Sequence, residues 1–211
     1  MKTENLITAL VADRGAGMRP LRRALAAALA VGLLVSLAIF LVDLGVRADI
    51  AAALATWRFD TKIVLVIVAL AASFGLCVAL SRPLMPAHPS RRLLPVLGLA
   101  AAAVAVELLA LPSAAWATRL VGSNAIVCLT TIPVLALAPL VAVLAILRSG
   151  APASPALAGA AAGLLAAASA AALYAFHCFD DSPLFVVTWY ALAAVPVVLL
   201  GAVIGHRLLR W

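Results

Sequence analysis

Residues 174–190 read YAFHCFDDSPLFVVTWY, and this stretch decides how the rest of the chain is understood. His177, Cys178, Asp180 and Asp181 crowd into five positions of a chain that is otherwise apolar almost throughout. Tyr174, Phe176, Phe179, Phe185, Trp189 and Tyr190 flank them. An Asp at the centre of a bilayer costs about 3 kcal/mol, so such a cluster belongs at a membrane surface. Aromatic rings with a polar tip favour the same depth. The stretch therefore reads as a short loop joining two membrane helices.

Working outward, 67% of the 211 residues are hydrophobic and 11% charged, with a mean hydropathy of +1.21. Soluble domains run at about 45–50% apolar and about 25% charged, so this composition is that of an integral membrane protein. The net charge of +7 is then a matter of where Lys and Arg flank the spans, not of nucleic-acid binding. About 20 apolar residues cross the hydrocarbon core. Six runs qualify: Ala24–Val42, Ile63–Leu80, Leu93–Leu111, Ala125–Leu147, Ala156–Phe176 and Leu184–Ile204. The predicted fold is all-α: a polytopic bundle of six transmembrane helices with both termini cytoplasmic. Residues 1–23 form a cytoplasmic segment, 24–204 the membrane domain and 205–211 a cytoplasmic tail.

Orientation follows from the basic residues. With the N-terminus inside, 11 Lys and Arg lie on the inner side and only Arg47, Arg58, Lys62 and Arg119 on the outer. The 174–190 loop then faces out, as do Asp43, Asp49 and Asp60. A cleavable signal peptide fits the first span poorly, because the polar leader runs to Arg23 and the apolar run exceeds the usual length.

Within the spans, Gly159-Ala-Ala-Ala-Gly163 and Gly201-Ala-Val-Ile-Gly205 repeat the small-xxx-small pattern that lets helix backbones meet, although an Ala/Gly-rich chain also produces it by chance. Pro133, Pro139 and Pro196 remove backbone donors and bend their helices. Glu107 is the carboxylate inside a span and is expected to snorkel to the outer surface, with no intramembrane Lys, Arg or second acid beside it.

In the leader, Leu6, Ile7, Leu10 and Val11 share one helical face behind Thr3 as N-cap. A two-turn stripe cannot bury a core alone, so it lies on lipid or on a partner protein. The polar face carries Glu4 and Asp13 rather than a row of Lys and Arg, which favours a protein.

Several motifs together resemble the NrsF-type membrane anti-sigma factors, negative regulators of extracytoplasmic-function sigma factors. These are the leader TENLITAL, Gly45-Val-Arg-Ala-Asp-Ile50, Ser81-Arg-Pro83, Cys128, Ala151-Pro-Ala-Ser-Pro155, the 174–190 loop and the ending Arg207-Leu-Leu-Arg-Trp211. The resemblance implies an inner-membrane protein whose N-terminal segment, through Thr3, Leu6, Ile7 and Leu10, sequesters a sigma factor. It also implies two outward-facing cysteines, Cys128 and Cys178, that help sense envelope or heavy-metal stress. By depth alone the pair could form a disulfide or a soft-metal site, with His177 as a further ligand. Cys128 alone would be a packing residue, and Cys77 lies too far inward to join them. No cofactor and no enzymatic activity are expected, and control of transcription would pass through a protein partner, with no direct nucleic-acid contact. Two alternatives stand beside this reading. A membrane thiol oxidoreductase would ordinarily need a C-x-x-C pair, and a small-molecule or metal permease would need polar groups near the midplane.

Overall fold

The computed structural model of the protein describes Glu4, residues 18–84 and residues 86–210, with backbone alone for residues 18–20. Thr3, Leu6, Ile7 and Leu10 lie outside the described residues. Six long helices carry the fold: α1 (Met18–Asp43), α2 (Trp57–Leu80), α3 (Leu94–Ala110), α4 (Ala125–Leu147), α5 (Pro155–Tyr174) and α6 (Pro183–Leu208). Each is long and apolar enough to cross a membrane. Six crossings return the two ends of the chain to one side. Short helical turns at Ile50–Ala53, Pro89–Leu93 and Trp116–Val121 fill the connections.

α5 is the axis of the bundle. Twelve of its residues from Ala158 to Ala171 are buried, and α2, α4 and α6 pack around it. Its composition explains this, because Ala and Gly give a thin helix that neighbours can approach on every side. The two glycine pairs face each other. A Cβ at Gly159 would stand 2.2 Å from the Gly201 carbonyl oxygen, and one at Gly201 would stand 2.4 Å from that of Gly159. The close contact expected from the G-x-x-x-G pattern thus joins α5 to α6.

α1 packs on α4 through a second device. Pro139 has no N–H for the carbonyl of Leu135, four residues earlier. The Ser36 hydroxyl of α1 donates to that carbonyl at 2.7 Å. Gly32, one turn before Ser36, lets α1 rest on Pro139 itself, whose Cα would lie 2.5 Å from an added Cβ. The acceptor that the proline orphans is taken by the neighbouring helix.

Two boundaries differ from the sequence reading. α2 begins at Trp57, not Ile63, capped by Thr56, whose hydroxyl accepts the Phe59 N–H. Arg58, Asp60 and Lys62 therefore belong to a membrane helix and not to the outer loop. α6 opens with one turn and then widens to a π-helical segment over Val186–Tyr190. α3 stands apart from the others. Along its whole length only Ala103 and Glu107 are buried, and its contacts are with α2 and with the turn at Pro183–Phe185.

Candidate functional site

The outer ends of the helices meet around residues 176–182. Gly45, at φ +69° in the left-handed region, turns the chain after α1. Its carbonyl oxygen lies 3.1 Å from His177 Nδ1. Two residues on, Arg47 reaches into the cluster with 5% of its side chain exposed. Its guanidinium forks onto Asp49, with Nε and Nη2 each at 2.7 Å, while Nη1 donates to both Asp181 oxygens at 2.9 Å and to the Cys178 carbonyl at 3.1 Å. Lys62, 1% exposed, donates from below to the same Cys178 carbonyl at 2.8 Å and to Asp181. Phe59 and Phe179 cover the cations, with Arg47 Cζ 4.8 Å from the Phe179 centroid and Lys62 Nζ 5.1 Å from that of Phe59. Two cations and two carboxylates, Asp49 and Asp181, compensate each other's charge, as burial demands. The Arg47 fork holds the Asp49 carboxyl below the usual range, and Asp49 in turn raises the Arg47 guanidinium.

A second pair stands beside the first. Glu107 of α3 is fully buried, receives Arg58 Nε on both oxygens at 3.0 Å and accepts the Ser182 hydroxyl at 3.0 Å. The expectation that Glu107 snorkels alone to the surface is corrected. It is neutralised in place by a cation from α2, because the early start of α2 brings Arg58 to its depth.

Asp180 fastens the same loop to α4. Its carboxylate accepts the backbone N–H groups of Ser123 and Asn124, at 2.9 and 2.8 Å, at the otherwise uncapped start of that helix. Gly122 precedes them at φ +59°, pressed against Phe185 and Asp180 so closely that no side chain fits. One turn further along α4 comes Cys128.

Cys128 and Cys178 stand at the outer ends of α4 and α5 as expected, but both are fully buried, so neither thiol is exposed at the outer surface. All three cysteines are free thiols. Burial pushes the Cys178 thiol up, and Lys62 opposes that only in part. The Cys178 Sγ faces the Asp180 carbonyl oxygen at 3.8 Å. The rings of Tyr174 and Tyr190 pack at 5.9 Å, and their buried hydroxyls have no hydrogen-bond partner among the described residues. His177 packs on Tyr174 and Phe40 with its Nδ1 committed to Gly45, an arrangement for holding the loop rather than a metal. Among the described residues no three His, Cys, Asp or Glu side chains gather as a metal site. Cys77 is buried in α2 near its inner end, away from the pair.

Sequence reasoning found the loop and its cysteines but missed Arg47, Lys62 and the Arg58–Glu107 pair. The available signal was Arg47 and Asp49 standing two residues apart within Gly45–Ile50, one of the motifs that carry the family resemblance.

The chain matches the family described as NrsF, negative regulator of sigma F, over residues 10–211. The chain belongs to the NrsF family. Two NrsF proteins align over the full length of both sequences. One, from Azospira oryzae, bears the name probable anti-sigma-F factor NrsF and is 36% identical over 216 residues. The other, the anti-sigma-F factor NrsF of Caulobacter vibrioides, is 33% identical over 217 residues. No solved structure matches the chain. NrsF membership makes the protein a regulator and not an enzyme. With its six spans it is a multi-pass protein of the inner membrane.

Proposed function

We propose that the protein is an anti-sigma factor that holds an extracytoplasmic-function sigma factor at the inner membrane face and releases it when the outer thiol cluster is disturbed. The observation that carries this reading is the full-length match to two proteins named as anti-sigma-F factors. Residues 1–23 do the holding. A helix starting at Thr3 would offer Leu6, Ile7 and Leu10 as anchors, and α1, which begins at Met18, follows them in sequence. Release begins at Cys128 and Cys178, by oxidation or by capture of a soft metal ion. Because both thiols are buried, the clasp of Arg47, Lys62 and Asp181 must loosen before a reagent reaches them. The permease reading is disfavoured by the position of the intramembrane charges, which pair off at the outer helix ends and leave the midplane apolar.

The test is co-purification from the native membrane. Wild-type protein brings down a sigma factor, and the Leu6→Ser, Leu10→Ser double variant loses it while its own amount in the membrane is unchanged. Full recovery of a sigma factor with the double variant overturns this binding face.

A further inference from the structure

α3 touches α2 along one side and the Pro183–Phe185 turn at its outer end, yet it does not close onto the faces of α5 and α6. Between them lies a cavity of about 310 Å³. Its walls include Leu65 and Ser73 of α2, Leu97 and Ala100 of α3, Ala168 of α5 and the ring of Tyr190 of α6. It reaches from Val186, near the outer start of α6, to Leu93 at the inner end of α3. Each helix lends it a stretch of about eight residues, Leu93 to Ala100 along α3 and Leu65 to Ser73 on α2, so it runs about 10–12 Å along the helix axes. An apolar slot of about 310 Å³ at this depth suits a hydrocarbon chain and not a hydrated headgroup.

The chemistry of the walls agrees. Apart from Ser73 and Tyr190 every lining side chain is aliphatic. At this depth water has almost nothing to bind. The cavity is continuous with the lipid-facing surface, since Leu97, which lines it, is also 62% exposed, and Leu94 and Leu192 beside it are 59% and 48% exposed. We infer that this cavity holds one acyl chain of a membrane phospholipid, inserted between α3 and the α5–α6 pair. The chain acts as a wedge. It sets how far α3 stands from the bundle, while the Glu107–Arg58 pair fixes the outer end of α3. The free variable is then the inner end, where Arg91 and Arg92 lie exposed in the turn leading into α3. The wedge also presses on the ring of Tyr190, which packs on Tyr174 with centroids 5.9 Å apart. Resting on the proposed sigma-factor role, lipid occupancy would tune the inner face from within the bilayer, but the site itself does not depend on that role.

Native mass spectrometry of the full chain, purified from its membrane and stripped of surface lipid in detergent, tests the site. The expected result is one retained phospholipid mass per chain. Ala168→Phe and Ala194→Phe fill the cavity from two different walls, and each should lose the lipid. Leu199→Phe, on the exposed flank of α6, should keep it. A wild-type chain carrying no lipid, a retained mass belonging to an isoprenoid quinone, or a phospholipid that survives both filling variants would overturn the proposal. The wild-type measurement stands whether or not either variant folds. Sigma-factor capture is scored separately on the same samples. Loss of capture with the lipid still bound counts against the leader's role and leaves the lipid site intact.

Discussion

Lys62 sits in the second turn of α2 with its ammonium against Asp181 and the Cys178 carbonyl, and it illustrates what a linear reading of charge misses. A hydropathy window treats every Lys as a mark of the water side. A lysine whose acidic partner lies 119 positions away looks the same as one in solvent. The Arg47–Asp49 fork was closer to legible, because both residues fall within one short motif. Removing one partner of a buried pair strands the other. Lys62→Met should therefore cost about 3–5 kcal/mol, read as a lowered unfolding midpoint in detergent, with Lys62→Arg losing much less. The thiols offer a second check. Burial raises Cys178 and so depletes its reactive thiolate at neutral pH. A membrane-impermeant maleimide should leave Cys178 and Cys128 unlabelled over a period in which a Ser123→Cys probe at the same end reacts to completion. Acid acts on Asp49. Its carboxyl is depressed in the folded state, so its contribution is present above the ordinary Asp value and lost as pH falls through the lower folded one. The unfolding midpoint should hold steady from neutral pH down to the usual carboxylate range and decline below it, and the decline should be shallower in Asp49→Asn.

At the level of helices, the six spans and the proline positions were readable from composition and length, since those signals are local. Which helix each small residue meets was not. The two G-x-x-x-G patterns could equally have faced lipid, and only the fold turns Gly201 onto Gly159. The π-helical widening at Val186–Tyr190 leaves no trace in the apolar periodicity either, because a continuous apolar run looks alike at any helical pitch. The glycines provide a sharp comparison. Gly201→Ala drives a Cβ to 2.4 Å from a backbone oxygen that cannot rotate away, so α5 and α6 must part. Overpacking of this kind costs about 1–3 kcal/mol. Gly98 of α3 has nothing within 4 Å of its Cβ position, and Gly98→Ala should instead stabilise by about 0.5–1 kcal/mol through helix propensity. Unfolding midpoints of the two single variants, compared side by side, should move in opposite directions. A Gly201→Ala midpoint that does not fall would mean that α5 and α6 are not packed glycine to glycine.

Across the whole molecule, the proposed function needs the outer cluster to communicate with the inner membrane face through the helices. The packing offers one continuous route. Asp180 caps α4 beside the Cys178 loop, α4 carries Cys128, and α4 bears on α1 through Gly32 against Pro139 and Ser36 on the Leu135 carbonyl. α1 then continues toward the leader. Adjacency alone is not coupling, and a stimulus can shift the two states only by the free energy by which it distinguishes them. Effective coupling of about 1–3 kcal/mol would change partner affinity some 5–150-fold. Two variants separate the stimulus from the route. Cys128→Ser with Cys178→Ser removes the reactive groups and should leave sigma-factor capture intact while abolishing release by oxidant or soft metal. Ser36→Ala keeps both thiols and leaves the Leu135 carbonyl unpaired between α1 and α4. It should therefore preserve thiol oxidation, read by mass, yet blunt the release that follows. A Ser36→Ala protein that releases its partner normally would exclude the α4–α1 contact as the path. A cysteine-free protein that still responds would move the sensor away from the thiols altogether, and the charged clasp of Arg47, Lys62 and Asp181 would be the next place to look for it.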